Sequence, residues 1–267
     1  MQELIKLDVV DLASAVGLMG IAIGLSAWEK LGLELNLALA TGRTILQLVV
    51  LGYVLDFVFA FDNPWAVLVM LAVILTITAV GVRNRISQKI PQILPLVWGS
   101  IFVSTTLTLI YINFLIIQRP DRLITQPHTW YEAQYVIPLA GMILGNAMNA
   151  AAIAGERLVS TINASHLEIE THLSLGATPQ QAVTQYRKDA IRAGIFPTIN
   201  QMMIIGMVTL PPIITGQLLS GINAREAASY QILIMFMIAV TNLLTTVLLT
   251  RGLCRVFFNS AAQLIRN

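Results

Sequence analysis

Long apolar stretches alternate with short polar connections along the chain, and the apolar stretches have the length of a bilayer crossing. A transmembrane helix needs about 20 mainly apolar residues to cover roughly 30 Å of hydrocarbon. Seven stretches qualify, over residues 9–28, 37–61, 64–82, 93–117, 135–155, 196–221 and 227–250. The third carries no charge from Pro64 to Val82. The sixth is interrupted by Pro211 and Pro212, whose missing N–H groups leave carbonyls that neighbouring helices must satisfy. The pattern predicts an all-α, polytopic transmembrane helical bundle of seven spans, forming one membrane domain over residues 1–267.

Composition agrees with that pattern. Hydrophobic residues make up 56% of the chain and charged residues 11%, against roughly 25% charged in soluble domains. The formal net charge is +2 and the basic residues are scattered, so there is no electrostatic footprint for nucleic acid. Cys254 is the single cysteine, which excludes an internal disulfide and a Cys-based metal cage and leaves helix packing as its role. The first eight residues carry Glu3, Lys6 and Asp8, unlike the basic start of a cleaved signal peptide, so the first stretch reads as a retained helix.

An odd number of spans puts the termini on opposite sides, and the excess of Lys and Arg on cytoplasmic loops selects the orientation. With the N-terminus outside, 11 of the 16 basic residues fall on the cytoplasmic side and four, Lys6, Arg119, Arg122 and Arg225, fall outside. The expectation is N-out, C-in. A first or sixth stretch that failed to span would invert part of this map.

Between the fifth and sixth spans, residues 156–195 are too polar for the bilayer yet carry strong helix punctuation. Ser165 followed by Glu168 has the spacing of a capping box and predicts a short helix from His166. Gly176 predicts its end, because glycine accepts the left-handed conformation after a last helical turn. Thr178-Pro179-Gln180-Gln181 then offers a second N-cap, a proline at the first helical position and a capping Gln. The first helix presents Glu168, Glu170 and His172 among Leu167, Leu173 and Leu175. One reading is a docking surface for another protein. The other is an amphipathic helix on lipid headgroups, although such helices favour Lys and Arg on the polar face and this one has neither.

This segment resembles the cytoplasmic loop of ABC permeases, whose short coupling helix enters a groove of the ATPase subunit. Glu170 and Gly176 keep that loop's spacing, while Thr171 and His172 replace its two small residues and Phe196-Pro197 replaces a closer apolar-Pro pair. The match to the FetB-type permease family, bacterial iron exporters related to plant permeases of aluminium tolerance, covers nearly the whole chain. It rests on Arg43, Gln47, Leu48 and Gly52; on Tyr135, Pro138, Gly141 and the run Met142-Ile143-Leu144-Gly145-Asn146; on Glu170, Leu173 and Leu175-Gly176-Ala177-Thr178; and on Leu210-Pro211 with Thr215-Gly216-Gln217. Pro212-Ile213-Ile214 departs from the Gly-Met-Met expected in the family.

The resemblance implies a permease domain that dimerises, works with a separate FetA-type ATPase and exports iron. The chain holds no Gly-Lys dipeptide and hence no P-loop. ATP and Mg are therefore expected in the partner subunit, with no cofactor in this one, and the chain itself is not expected to be an enzyme. No catalytic triad or zinc-binding helix motif is present, and His128, His166 and His172 are too far apart in sequence to form an evident metal site. A secondary transporter is the alternative, but the inverted repeats that mark one are not evident.

Met142, Asn146 and Asn149 fall at i, i+4 and i+7 on the fifth span, and Asn200, Met203 and Met207 are similarly spaced on the sixth. Amide oxygens and thioethers on facing stripes can pass a metal ion through a central dimer cavity. The same residues also serve packing: Asn joins membrane helices by hydrogen bonds, Met fills gaps, and Gly141 with Gly145 forms a small-xxx-small pair. Arg43 and Gln47 face protein or snorkel to the cytoplasm. Trp130, Tyr131 and Tyr135 read as an interfacial aromatic belt.

Overall fold

The structure is a computed structural model and describes residues 8–61, 63–86, 93–113, 132–259 and 263–265. His128, Trp130 and Tyr131 lie outside the described residues, as do Lys6, Lys89, Arg119, Arg122 and Arg266 of the charge map. The helices are α1 (Val9–Trp28), α2 (Glu34–Phe61), α3 (Pro64–Arg85), α4 (Ile93–Ile112) and α5 (Ala133–Ala164), followed by α6 (His166–Ser174), α7 (Pro179–Ala182), α8 (Thr184–Ile204), α9 (Pro212–Leu219) and α10 (Ala224–Val256). No strand occurs among the described residues, only isolated bridges joining Ile205 to Thr209 and Phe258 to Leu264. The chain divides into two compact units, residues 1–63 with 219–221, and residues 64–218 with 222–267.

Among the described residues six helices, α1 to α5 and α10, are long and apolar enough to cross a membrane. The sixth expected stretch, 196–221, is a correction, because it is not one continuous helix. The polar residues of α8 begin well before it, α8 stops at Ile204, and α9 starts at Pro212. Gly206 turns the chain with φ +80° just after α8 ends, and the prolines, which cannot donate to the Met207 and Val208 carbonyls one turn back, oppose a helix through the segment before Pro212. The break supplies its own backbone partners: Gly206 N–H donates to Thr209 O at 3.0 Å, Val208 N–H to Ile204 O at 3.0 Å, and Thr215 N–H to Pro211 O at 3.2 Å.

In the first unit, α1 and α2 form a hairpin whose turn is held by Ser26. Its hydroxyl donates to Glu34 at 2.9 Å and accepts from the Leu33 N–H at 3.2 Å. Both helices are exposed over nearly their whole length, with Ser26 and Val58 their only buried residues among those described.

The second unit is organised by α5 and α10. The helix α5 packs on α3, α8 and α10, and α10 also packs on α4 and α8. Lipid is as apolar as Leu, so close contact and interhelical hydrogen bonds hold such helices rather than exclusion from water. The sequence of α5 fits that requirement: its buried stripe includes Ala140, Ala147, Ala151 and Ala154, residues small enough to bring backbones together. Gly194 of α8 sits in that stripe, where an added Cβ would lie 2.7 Å from Ala150 O and 2.9 Å from Ala154 Cβ. At the expected Gly141–Gly145 pair, a Cβ at either position meets nothing of this chain within 4 Å. Those glycines face away from the chain's own helices, and Gly194 and Gly155 make the close approaches instead.

A buried polar seam joins α4, α8 and α10. Ser104 and Thr245 hydroxyls meet at 2.5 Å, Thr241 donates to Thr108 at 2.9 Å, and Asn242 donates to Thr198 at 2.8 Å. Interhelical bonds of this kind average about 0.6 kcal/mol each in membrane bundles. They set the register between helices that apolar contacts alone leave free to slide.

Candidate functional site

The exposed helix α6 and its connection to α8 form the first candidate region. At its C-terminus, Gly176 adopts φ +89°, Ala177 N–H donates to His172 O at 3.0 Å, and Gly176 N–H donates to Leu173 O at 3.0 Å. These two bonds are the Schellman closure of a helix by a left-handed glycine. Thr178 then caps α7 as its spacing predicts: its Oγ1 accepts from Gln181 N–H at 3.3 Å, Gln181 Oε1 accepts from Thr178 N–H at 2.8 Å, and Pro179 takes the first helical position.

The start of α6 differs from expectation. The helix begins at His166, but Ser165 makes no side-chain cap. Instead the Ser165 hydroxyl and the Glu168 carboxylate lie near the phenol of Tyr186 on α8. Burial first, and the neighbouring carboxylate second, push the Tyr186 phenol above its ordinary pKa.

One face of α6 is anchored and the other is open. Ile169 is fully buried, and Leu173 packs with Ala182, Val183 and Tyr186 in the same cluster. On the opposite face Leu167 and Leu175 remain 68% and 79% exposed, with Glu170, Thr171, Ser174 and Gly176 also exposed. These positions follow the i, i+3, i+4, i+7, i+8 spacing of a single helical stripe. His172 flanks it and approaches Glu168 at 3.9 Å, with both side chains more than half exposed.

The second candidate region is the pair of polar stripes on α5 and α8. Met142 packs into the cluster around Ile143 and Ile238, and Asn146 Nδ2 donates to Met142 O on its own helix at 2.9 Å. Asn149 is exposed, and its Oδ1 accepts from Arg85 Nη1 of α3 at 2.6 Å, a partner its spacing did not reveal. Asn200, Met203 and Met207 are exposed, while the neighbouring Met202 turns inward. The structure therefore divides the six residues: Met142 and Asn146 serve packing within the chain, and Asn149, Asn200, Met203 and Met207 face outward. Among the described residues, no group of three or more His, Cys, Asp or Glu side chains is placed to hold a metal ion.

Of the motif residues, Arg43 and Gln47 are exposed on α2, and Pro138 lies exposed in an early turn of α5. Pro211 is buried at the break, and Thr215 Oγ1 donates back to its carbonyl at 3.2 Å. Gly216 is exposed, and Gln217 Oε1 is buried without a hydrogen-bond partner. Two features escaped the pattern reading, the Arg85–Asn149 bond and the Ser/Thr seam. The seam did leave a signal in the hydroxyls of Ser100, Ser104 and Thr108 at four-residue spacing on α4.

Comparison with known proteins places this geometry. A family model described as uncharacterised protein family UPF0014 matches residues 9–258. A UPF0014 membrane protein of Synechocystis is 50% identical over 262 residues, covering 98% of both chains. The protein of Escherichia coli named probable iron export permease protein FetB is 34% identical over 255 residues, 96% of this chain and 94% of its own. ALUMINUM SENSITIVE 3 of Arabidopsis thaliana is 30% identical over 254 residues, 94% of this chain and 88% of its own. No solved structure matches the chain.

Proposed function

The chain belongs to the UPF0014 family and is a multi-pass membrane protein, and from that premise we propose that it is the permease subunit of an ATP-driven metal exporter. Its energy comes from a separate ATPase that docks on α6. The observation that carries this reading is the two-faced construction of α6, with Ile169 fully buried on one side and the Leu167-to-Leu175 stripe open on the other. A glycine-closed C-terminal end and an anchored inner face suit a helix that must receive force and keep its shape. The acidic residues Glu168 and Glu170 fit a basic groove better than an anionic membrane surface.

The cargo reading rests on kinship with a protein named as an iron exporter and on the outward-facing Asn149, Asn200, Met203 and Met207. In a homodimer such residues line the space between protomers, where amide oxygens and thioethers can pass a cation along. On this reading residues 196–221 cross the membrane as a discontinuous span around the break at 205–211, the orientation is N-out, C-in, and α6 is cytoplasmic.

The test is ATP-dependent uptake of iron, manganese, zinc and copper into inside-out vesicles holding the permease and its ATPase. Uptake of iron above the others establishes the reading. Photo-crosslinkers at Leu167, Glu170 and Leu175 must capture the ATPase. Capture of phospholipid alone overturns the docking role and favours the lipid-surface alternative, and metal uptake without ATP favours a secondary transporter.

A further inference from the structure

The main apolar core joins α3 and α4 over part of their length. Leu75, Ala79 and Val82 of α3 meet there with Ile93, Val97 and Ile101 of α4. Past that level, toward Pro64 on α3 and Ile112 on α4, the two helices line a cavity of about 590 Å³ with α5 behind it. Leu68 and Leu71 of α3 face Phe102, Thr106 and Leu109 of α4 across this wedge, and Ala140 of α5 lies at its back. We infer that the wedge binds one acyl chain of a phospholipid from the leaflet on the Pro64 side. In the orientation proposed above that is the outer leaflet, but the site itself requires a membrane and not an ATPase.

Shape selects the occupant. The wedge runs from Pro64 to Leu75 along α3, about 16 Å, and from Asn113 to Trp98 along α4, about 22 Å. One leaflet offers about 15 Å of hydrocarbon, or about 21 Å with its headgroup layer. The deep end is bridged, because the Trp98 indole N–H donates to Thr76 Oγ1 of α3 at 3.4 Å and the Trp98 ring stacks on Phe102 with centroids 5.1 Å apart. Toward lipid the rim is exposed and apolar at Leu68, Phe102 and Ile110. A second helix is too large, since a cylinder 10 Å across and 16 Å long takes roughly 1,300 Å³. A single chain entering tail-first matches the length and the apolar lining, and it supplies the dispersion contacts that facing walls lack across an open gap. The chain then props α3 and α4 apart at one end while the core holds them together at the other.

The test uses the full-length permease in phosphatidylcholine vesicles that carry a trace of phosphatidylcholine with a diazirine near the terminal methyl of one chain. Leu75 and Leu144 line the deep end and are buried, whereas Val73 and Val103 are exposed on the same bundle outside the wedge. On irradiation Leu75 and Leu144 are expected to be labelled at least as strongly as Val73 and Val103. Weaker labelling of the buried pair overturns the site. With the diazirine near the ester instead, label should move to Val67 and Leu109 at the shallow end, and label that stays at the same depth also overturns it.

Thr106→Trp fills the wedge and should cut labelling of Leu75 and Leu144 at least fivefold, while Val103→Trp on the outer surface leaves it unchanged. Ala72→Phe narrows the wedge from the facing wall and must give the same loss, so the inference stays testable if Thr106→Trp fails to fold. Undiminished labelling in either folded variant overturns the inference. A photo-crosslinker at Thr106 should add the mass of a phospholipid, and a protein adduct in its place, from this chain or a second copy, overturns the lipid as occupant.

Discussion

Two interruptions of the helical chain, the corner at residues 175–179 and the break at 205–211, are built from the same residue types and solved in different ways. Each places a glycine ahead of proline, Gly176 before Pro179 and Gly206 before Pro211-Pro212. At the first, side chains complete the turn, with Thr178 and Gln181 exchanging hydrogen bonds in an exposed setting. At the second, backbone serves backbone: the Gly206 N–H donates to Thr209 O within the break, and the Met207 and Val208 N–H groups donate to Ile204 O at the end of α8. The difference teaches that local chemistry stops a helix, whereas the surroundings decide what must satisfy the freed groups. Water helps at an exposed corner and is missing inside an apolar stretch.

The helix α8 links the two interruptions, so the most disruptive substitution lies between them. Gly194→Leu places a branched side chain where even a Cβ is 2.7 Å from the Ala150 carbonyl, and overpacking of this kind costs about 1–3 kcal/mol or more. The expected result is the lowest thermal unfolding temperature of any single variant proposed, measured in detergent. Gly141→Leu, with open space at its Cβ, should leave that temperature nearly unchanged and so sharpens the contrast.

Replacing both prolines, Pro211→Ala with Pro212→Ala, attacks the second interruption directly. With the N–H groups restored, α8 is expected to extend toward α9. Labels at 200 and 216 should then move apart toward the roughly 24 Å that 16 helical residues span. An unaltered separation would mean that the surrounding packing, rather than the prolines, makes the break.

Gly176→Ala tests the corner. A side chain at φ +89° is strained, and the left-handed region costs a non-glycine residue about 1 kcal/mol or somewhat more. The effect should appear as faster amide exchange at Gly176 and Ala177, with the bundle unaffected. Thr178→Ala removes the cap for about 1 kcal/mol, and exchange should rise at Pro179's neighbours Gln180 and Gln181 alone.

The smallest effect is a pH response. The Tyr186 phenol is held above its usual value by burial and by Glu168. A raised folded-state pKa means that the favourable contribution is complete below the ordinary tyrosine pKa and is lost as pH climbs through the folded one. Stability is thus flat through neutral pH and declines only in the alkaline range above about 10. Tyr186→Phe should remove that part of the decline in an alkaline unfolding series.

What the sequence determined by itself is whatever depends on short range and on solvent. The apolar lengths mark α1 to α5 and α10, because crossing hydrocarbon requires an unbroken run within one helix. The Gly176 corner and the Thr178 cap were equally legible, because their bonded partners lie within five residues. The tertiary structure alone decided between rival partners. Asn149 met Arg85 of α3, Gly194 rather than Gly141 or Gly145 met a neighbouring backbone, and Ser104 found Thr245 across 141 positions of chain. A hydroxyl or carboxylate takes the partner best placed in space, and no spacing rule along one helix reports which helix lies beside it.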